Sequence, residues 1–408
     1  MRPPLNFWQR RKIELPLRDV PFLFRPGQHT SLVALLEFVD LGAQQRRIEE
    51  PLRSGIDAVL EHGRYINGPE VAELEAKLGE YVGVPHAVAC SSGTDALLAP
   101  LMALGVKQGD AVFTSSFTFA ATVEVICLLG ATPVFVDIDD ETYNIDPARL
   151  DDAVRDTREA GILTPKGVIA VDLFGQPADY DSIDALASEH GLWVLEDAAQ
   201  SLGSSYNGRR AGALAQVAAT SFFPSKPLGC YGDGGMIFTT SDALANLVRS
   251  ICSHGSGDEK YHTVRVGLNA RLDTLQAAVL LAKLQVFEEE ADRRRTVGRR
   301  YSQLLQGVCR VPRVADGVDP VFAQYSIRHP RRGELRSELN RLGIPTAVYY
   351  PCPLHLQPAY EHLRGSGEFP NSECAAEEIL ALPMHPYLSE ADQDRIVDAI
   401  RGAIAGWG

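Results

Sequence analysis

The sequence predicts an α/β protein with a large, mainly parallel sheet and a smaller C-terminal α+β lobe. From about residue 86 to residue 240, short strand-like runs alternate with helical segments, as in parallel sheets covered by helices. A length of 408 residues is more than one minimal core needs. We therefore expect an N-terminal extension over residues 1–36, a large domain over 37–285 and a small domain over 286–408.

Seven strand-like runs make up the predicted sheet. They are His86–Cys90, Ala111–Thr114, Pro133–Ile138, Gly167–Leu173, Trp193–Glu196, Ala219–Phe222 and Met236–Thr240. Apolar residues at helical spacing over Arg271–Leu305 predict one long helix that leads out of the large domain. Pro100 falls where a helix is expected, and a proline there should kink or interrupt it.

The small domain is predicted from four further segments. Strands are expected over Ala323–Arg328 and Thr346–Tyr350, and helices over Arg332–Leu342 and Glu390–Ala405. Two short strands with two helices are enough for a compact α+β lobe.

The composition argues against several classes of protein. A net charge of -14 disfavours a nucleic-acid-binding surface, which relies on clustered Lys and Arg. The seven cysteines form no Cys-x-x-Cys pair and fit neither a disulfide framework nor a zinc site, so a reducing compartment is the simple interpretation. No run approaches the roughly 20 apolar residues of a membrane helix, and the start lacks a signal-peptide pattern. We expect a cytoplasmic protein that binds neither nucleic acid nor membrane.

The segment Ser91–Asp95 follows the first strand and opens a helix. Backbone N–H groups and hydroxyls at a helix N-terminus favour an anion, so Gly93 and Thr94 are candidates for a phosphate or carboxylate seat. An ordinary helix N-cap explains the same residues equally well, because Ser, Thr and Asp are favoured at that position.

Asp197 and Lys226 are candidate catalytic residues. Asp197 ends a hydrophobic strand, and open α/β sheets bind ligands at the carboxyl ends of their strands. A carboxylate there pairs with a cationic ring nitrogen or, more commonly, caps the next helix. Lys226 follows another strand in a segment with few charges. Burial would lower its pKa and make the amine a nucleophile, although most lysines are plain surface charges.

Two further patterns predict no site. The glycine-rich segment 229–235 precedes a strand and opens no helix, so it is not a dinucleotide-binding fingerprint. Its glycines suit a tight turn beside a ligand. His254 and His262 lack metal-ligand spacing and are expected at the surface, and no metal site is predicted.

Four motifs in this order strongly resemble the DegT/DnrJ/EryC1/StrS family of sugar aminotransferases. They are Ser92-Gly93-Thr94-Asp95-Ala96-Leu97, Glu196-Asp197-Ala198-Ala199-Gln200-Ser201, Ser221 with Lys226 five residues later, and Gly267-Leu268-Asn269-Ala270-Arg271-Leu272. The resemblance extends from about Glu37 to the C-terminus. It implies fold type I of the pyridoxal-phosphate (PLP) dependent transferases, like aspartate aminotransferase, with PLP bound by the large domain. The residues 221–235 and Gln324-Tyr325 resemble enzymes that aminate the 3-keto form of a UDP-N-acetylglucosaminuronate.

The resemblance implies a role for each cofactor-site residue. Lys226 would hold PLP covalently and later move a proton, and Asp197 would keep the pyridine nitrogen protonated. Gln200 would hydrogen-bond the ring hydroxyl, and Phe119 would lie against the ring face. The phosphate would be held by Gly93, Thr94 and Ser221.

The resemblance also implies an active site shared by two subunits of a homodimer. Asn269 would reach the phosphate bound by the partner subunit. Arg271 would meet the sugar carboxylate, or alternatively form a structural salt bridge. Tyr349 and Tyr350 would contact the substrate. Tyr349 stands where the family usually has histidine, so a hydrogen-bonding tip is kept while a possible positive charge is lost.

The implied reaction moves an amino group from L-glutamate to UDP-2-acetamido-2-deoxy-3-keto-glucuronate, in polysaccharide assembly such as that of lipopolysaccharide O-antigen. Three alternatives remain. In the first, the acceptor is another UDP- or dTDP-linked 3- or 4-keto sugar. In the second, the protein is a non-catalytic PLP-binding regulator that kept Asp197, Gln200 and Lys226. The third is the dehydratase branch of the family, which has histidine in place of the lysine, and Lys226 argues against it.

Overall fold

The computed structural model describes residues 36–259, 261–365 and 367–407. The predicted N-terminal extension lies outside these residues except for Leu36, which is buried. The described chain begins with three helices that the sequence analysis did not assign: α1 (Leu41–Arg47), α2 (Glu49–His62) and α3 (Pro69–Val82). The Asp40 side chain caps α1 by accepting a hydrogen bond from the Ala43 N–H at 2.8 Å.

The predicted seven-stranded, mainly parallel sheet is confirmed. The first nine strands in chain order are β1 (His86–Cys90), β2 (Asp110–Ser115), β3 (Thr132–Val136), β4 (Thr164–Val171), β5 (Trp193–Asp197), β6 (Ser205–Tyr206), β7 (Arg209–Arg210), β8 (Val217–Ser221) and β9 (Gly235–Thr239). The large sheet has the order β1-β9-β8-β5-β4-β2-β3. Strands β3, β2, β4, β5 and β8 run parallel, and β9 is antiparallel to both of its neighbours. The carboxyl ends of β5 and β8 therefore meet at one edge.

Helices cover both faces of this sheet. The remaining helices are α4 (Gly93–Ala103), α5 (Ala121–Leu128), α6 (Pro147–Ala160), α7 (Tyr180–His190), α8 (Asp242–Cys252), α9 (Thr274–Leu284), α10 (Phe287–Leu305), α11 (Arg332–Arg341), α12 (Pro370–Glu378) and α13 (Glu390–Ala405). Ile169 and Leu195 pack with α4, α5 and α8, whereas the alternate residues Val168 and Val194 pack with α6 and α7. This alternation along each strand explains why the strands are apolar on both faces.

The C-terminal part of the chain has its own apolar cluster. The strands β10 (Val318–Asp319), β11 (Tyr325–Arg328) and β12 (Ile379–Leu382) complete the set, and β11 pairs with β12 in an antiparallel sheet. Residues of α10, α11 and α13 pack on that pair, among them Tyr301, Leu335 and Ile396. Strand β10 instead joins β6 and β7 in a small separate sheet. The limits predicted for the large domain (37–285) and the small domain (286–408) stay predictions.

The predicted single helix over Arg271–Leu305 is wrong, because α9 and α10 are separate helices. At the junction the Val286 N–H bonds to the Lys283 carbonyl, three residues back, and Val286 adopts φ -115° and ψ 0°. Val279 and Ala282 of α9 pack in one small cluster with Val286 at the junction, and Leu280 of α9 shares another cluster with Phe287 of α10. Apolar spacing therefore continues across a junction where the hydrogen-bond ladder stops.

Three other predictions need correction. The strand expected over Thr346–Tyr350 is absent from the structure, where Ala347 alone forms a bridge with Ala381 and the tyrosines pack against the Phe117 and Phe174 cluster. The strand expected from Ala323 begins only at Tyr325. Pro100 does not interrupt its helix, since α4 continues to Ala103 and the Pro100 carbonyl accepts a hydrogen bond from the Leu104 N–H at 2.8 Å.

Candidate active site

Asp197 is the last residue of β5 and is buried at the carboxyl edge of the sheet. Its Oδ2 accepts a hydrogen bond from Thr122 Oγ1 at 2.9 Å, and its Oδ1 accepts one from the Ala199 N–H at 3.2 Å. Burial raises the pKa of Asp197, while the Thr122 and Ala199 hydrogen bonds and the nearby Lys226 lower it. No α-helix of the described chain starts at Ala198, so the helix-cap alternative fails, and the side chain is a desolvated carboxylate suited to a cation.

Lys226 lies in the turn that follows β8, where its backbone N–H donates to the Phe223 carbonyl at 2.8 Å. The residue is half-buried. Burial lowers the pKa of Lys226 to about 8, and the negative charge of Asp197 opposes that shift. The surface-charge alternative therefore does not describe this lysine. Its amine is neutral at a lower pH than an exposed lysine, as a nucleophile requires.

Gly93 and Ser221 meet where the start of α4 approaches the end of β8. Ser92 is the N-cap of α4, and its Oγ accepts a hydrogen bond from the Asp95 N–H at 3.0 Å. A Cβ atom added to Gly93 would lie 2.6 Å from the Ser221 Cβ, so only glycine permits this approach. The two residues thus form a narrow cradle at a helix N-terminus, with half-buried Thr94 in the first turn, which suits an anion.

Gln200 is buried and held in one orientation. Its Oε1 accepts a hydrogen bond from the Phe174 N–H at 2.7 Å, so its amide N–H2 group is the end left to donate. Nε2 donates to the Tyr350 hydroxyl at 3.3 Å. The ring centroids of Tyr350 and Phe119 are 6.4 Å apart, and Phe119 is 57% exposed, which leaves a ring face open.

Tyr349 is joined to Tyr350 by a cis peptide bond, and their ring centroids are 5.9 Å apart. The Tyr350 ring also lies edge-on to Phe117 at 6.0 Å. Burial raises the pKa of both tyrosines, and the Gln200 hydrogen bond opposes the rise at Tyr350. Both hydroxyls therefore stay protonated and can donate at physiological pH.

Asn269 and Arg271 contact each other through their side chains. Arg271 Nη2 donates to Asn269 Oδ1 at 2.5 Å. Within the described residues Arg271 forms no ion pair, and its buried Nε has no hydrogen-bond partner. The salt-bridge alternative for Arg271 is therefore not observed. Neither side chain hydrogen-bonds to Lys226 within the described part of this one chain.

Thr122 is a site residue that the sequence analysis missed. It lies in the first turn of α5, and its hydroxyl contacts Asp197 from the same edge of the sheet. The signal was present in the sequence, because a polar residue opens the helix after a buried strand. Thr is common at helix starts for capping alone, so that signal was not specific.

The remaining features are two histidines, metal-binding groups and membrane-spanning helices. His254 and His262 are exposed, as expected. Over residues 36–259, 261–365 and 367–407, no group of three or more His, Cys, Asp or Glu side chains is arranged to hold a metal ion. None of the helices in these ranges has the length and apolar character needed to cross a membrane.

The sequence pattern of the DegT/DnrJ/EryC1/StrS aminotransferase family matches residues 46–401. The chain belongs to this family. It is 50% identical to the UDP-2-acetamido-2-deoxy-3-oxo-D-glucuronate aminotransferase of Pseudomonas aeruginosa, over 88% of this chain and 97% of that protein. It is also 44% identical to a protein of Geobacillus stearothermophilus named "pleiotropic regulatory protein", over 89% of this chain and 96% of that one.

Solved structures agree with the fold and the cofactor. A DegT/DnrJ/EryC1/StrS aminotransferase from Brucella abortus superposes with a TM-score of 0.89 at 52% identity, covering 90% of this chain and 99% of that one. NtdA from Bacillus subtilis, with bound cofactor PMP, superposes with a TM-score of 0.81 at 27% identity, covering 94% and 87% of the two chains. The fold is that of the PLP-dependent aminotransferases, and the chain is a nucleotide-sugar aminotransferase of this kind.

The described residues fit PLP. The Gly93 cradle would be filled by a single added Cβ and opens onto the N-terminus of α4, as a phosphate requires. Lys226 offers an amine with a lowered pKa, and Asp197 offers a desolvated carboxylate.

Proposed function

We propose that the protein transfers an amino group from L-glutamate to the 3-keto carbon of UDP-2-acetamido-2-deoxy-3-oxo-D-glucuronate. The observation that carries this proposal is the geometry of the sheet edge: Asp197 ends β5, and Lys226 lies in the turn after the neighbouring strand β8. Burial lowers the pKa of the Lys226 amine and raises the pKa of the Asp197 carboxyl. The choice of sugar rests on the Pseudomonas aeruginosa relative, whose name states that substrate. The product would be a 3-amino sugar for polysaccharide assembly, and we propose that this polysaccharide is lipopolysaccharide O-antigen. We also propose that the protein is cytoplasmic.

Bound PLP supplies an electron-withdrawing ring that stabilises negative charge at the substrate carbon. Lys226 would hold the cofactor and, as a neutral amine near its pKa of about 8, take and return a proton at its Nζ. Asp197 would keep a proton on the ring nitrogen, because a buried carboxylate with two fixed donors still needs a cation.

Five other residues would orient the cofactor. Gln200 presents amide hydrogens to a ring hydroxyl because Phe174 fixes its oxygen, and exposed Phe119 offers a ring face. The phosphate would lie at the start of α4, held by Gly93, Thr94 and Ser221.

We propose that the active enzyme is a homodimer in which Asn269 and Arg271 complete the partner's site. Among the described residues neither side chain hydrogen-bonds to Lys226 of its own chain, and Arg271 keeps a donor without a partner. Apolar side chains nearby are exposed: Val264 and Val266 precede Asn269, and the Ile66 backbone bridges Asp273. Exposed apolar groups of this kind are typical of subunit interfaces.

The shared site can be tested by complementation. Lys226→Ala and Arg271→Ala homodimers should each be inactive or strongly impaired. Mixing them under conditions that exchange subunits should restore one intact site per heterodimer, and thus turnover. A mixture no more active than its components, with heterodimer formation verified by mass, would contradict a shared site.

The Arg271→Ala variant also tests whether the sugar substrate carries a carboxylate. A guanidinium paired with the sugar carboxylate predicts that Arg271→Ala raises KM for the 3-keto uronate by about 10- to 100-fold, as lost charge-assisted hydrogen bonds do. KM for the uncharged UDP-linked 3-keto N-acetylglucosamine should change little. Equal effects on both sugars, or a faster reaction of the wild type with a 4-keto or dTDP-linked sugar, would reject the uronate assignment. Absence of amine transfer to every keto sugar would instead favour a regulatory role, which the name of the Geobacillus relative raises.

A further inference from the structure

Two buried carboxyl groups lie beneath the candidate active site. Asp172 follows β4 directly and Glu196 is the residue before Asp197 in β5. Both side chains are 0% exposed and they hydrogen-bond to each other. Neither forms an ion pair with Lys, Arg or His within residues 36–259, 261–365 and 367–407.

The groups around this carboxyl pair are donors and acids. Glu196 accepts hydrogen bonds from the Gly212 N–H at 2.6 Å and the Leu214 N–H at 2.8 Å. The other titratable group in contact with the pair is the Tyr180 hydroxyl on α7, and the Asp197 carboxylate follows Glu196 in β5. Two ionised carboxylates in hydrogen-bond contact without a cation would repel strongly in a buried site. One proton between them removes this repulsion and supplies the missing donor.

Asp172 is the better anion of the two. It accepts three hydrogen bonds, from the Tyr180 hydroxyl at 2.9 Å, the Ala178 N–H at 3.0 Å and Ser201 Oγ at 2.6 Å. Glu196 accepts only the two backbone N–H bonds among the described residues. Hydrogen bonds to the charged form favour that form, so the proton belongs on Glu196.

We infer that Asp172 and Glu196 share one proton in the folded protein, with Glu196 donating to Asp172, and that this pair positions Asp197 and Gln200. Burial raises the pKa of both carboxyls, in agreement with the geometry. Asp172 contacts the site residues through the backbone and one hydroxyl. Its N–H donates to the Asp197 carbonyl at 3.1 Å, and its carboxylate holds Ser201, the residue after Gln200.

The shared proton can be detected without assuming any function. In the infrared spectrum of the holoenzyme at pH 7.5, wild type should show the carbonyl stretch of a neutral carboxylic acid. Asp172→Asn should remove it, because the asparagine amide donates to Glu196 and leaves that residue ionised, while its oxygen still accepts from Ala178 and Tyr180. Asp137→Asn is the matched control, since Asp137 is buried and accepts from Ser372 Oγ and from the Asn371 and Ser372 backbone N–H groups. A neutral-acid band missing from wild type, or retained in Asp172→Asn, overturns the inference.

The pH dependence of folding stability gives an independent measurement of the shared proton. Between about pH 5.5 and the pKa of the pair, the folded state holds a proton that the unfolded state has released, so stability falls as pH rises. Relative to Asp172→Asn, the wild-type folding equilibrium constant should fall by about tenfold per pH unit in that window. Parallel stability curves for the two proteins would contradict a shared proton.

The positioning role rests on the proposed function and has its own test. Asp172→Ala removes the acceptor for Ser201, so kcat should fall by up to about 100-fold, as a misplacement near 1 Å can cause. The pH titration of the bound cofactor's absorbance should shift as well. Asp172→Asn should restore both toward wild type, because its amide nitrogen, in the place of Oδ2, can donate to Ser201 Oγ and so keeps a hydrogen bond to that residue. If Asp172→Ala is folded, with unchanged kcat and unchanged spectrum, the positioning role is wrong even where the infrared result stands.

Discussion

Replacing Thr122 by valine tests how the protein keeps Asp197 ready for a cation. Thr122 is buried, and its hydroxyl is the donor to Asp197 Oδ2 at 2.9 Å. Valine keeps the shape and removes the hydroxyl, which leaves the Ala199 N–H at 3.2 Å as the remaining donor to that carboxylate among the described residues. A hydrogen bond to a charged group contributes about 1.5–3 kcal/mol. The pKa of Asp197, already raised by burial, should rise further.

We expect Thr122→Val to lower PLP affinity or transamination kcat/KM by about 10- to 100-fold, the equivalent of that energy at about 1.4 kcal/mol per factor of ten. Equilibrium titration of PLP and single-turnover kinetics would separate the two effects. Thr122→Ser keeps the hydroxyl and should stay within about threefold of wild type, since it loses one methyl group worth about 0.8 kcal/mol. Wild-type affinity and kcat/KM in Thr122→Val would refute the role of this hydrogen bond.

Two further predictions concern the cradle and the lysine. Gly93→Ala places a Cβ 2.6 Å from the Ser221 Cβ, and the overpacking of about 1–3 kcal/mol should weaken PLP binding as measured by cofactor titration. The control is Gly402→Ala in α13, where no atom lies within 4 Å of an added Cβ and PLP binding should stay unchanged. Equal PLP affinities in the two variants would contradict the role of the Gly93 cradle. Burial lowers the pKa of Lys226 to about 8, so its neutral fraction grows through that pH and the rate of PLP addition to the apoenzyme should reach half its maximum near pH 8. A half-maximum near the ordinary lysine value of about 10.4 would show that Lys226 is solvated.

The sheet could be predicted because its strands are short apolar runs between turn residues. All seven predicted runs became strands, and Asp197 and Ser221 fell at strand ends where the sequence placed them. The apolar periodicity did not indicate the break at Val286, because Leu280 of α9 and Phe287 of α10 pack in one apolar cluster across it. The strand prediction for Thr346–Tyr350 was wrong for a related reason. Residues that favour strands indicate a half-buried surface, and they do not establish that the backbone pairs with another strand.

The candidate site was predictable only in part. Lys226, Asp197 and Gln200 came from motifs, whereas Thr122 depends on α5 starting beside β5, a tertiary contact that sequence spacing does not encode. The Asp172–Glu196 pair was missed because the two residues lie 24 positions apart in the sequence and no motif joins them. Their contact follows from β4 and β5 being neighbours in the sheet.

The central claim is tested most directly by an absorbance spectrum of the purified protein with PLP, taken before and after L-glutamate and again after UDP-2-acetamido-2-deoxy-3-oxo-D-glucuronate. The account predicts a band near the visible edge from cofactor held by Lys226, its loss on adding glutamate, and its return with the keto sugar. Lys226→Ala should lack this band while binding some cofactor noncovalently. A band that glutamate bleaches and this sugar fails to restore would contradict the uronate assignment, and a wild-type protein with no such band would contradict the role of Lys226.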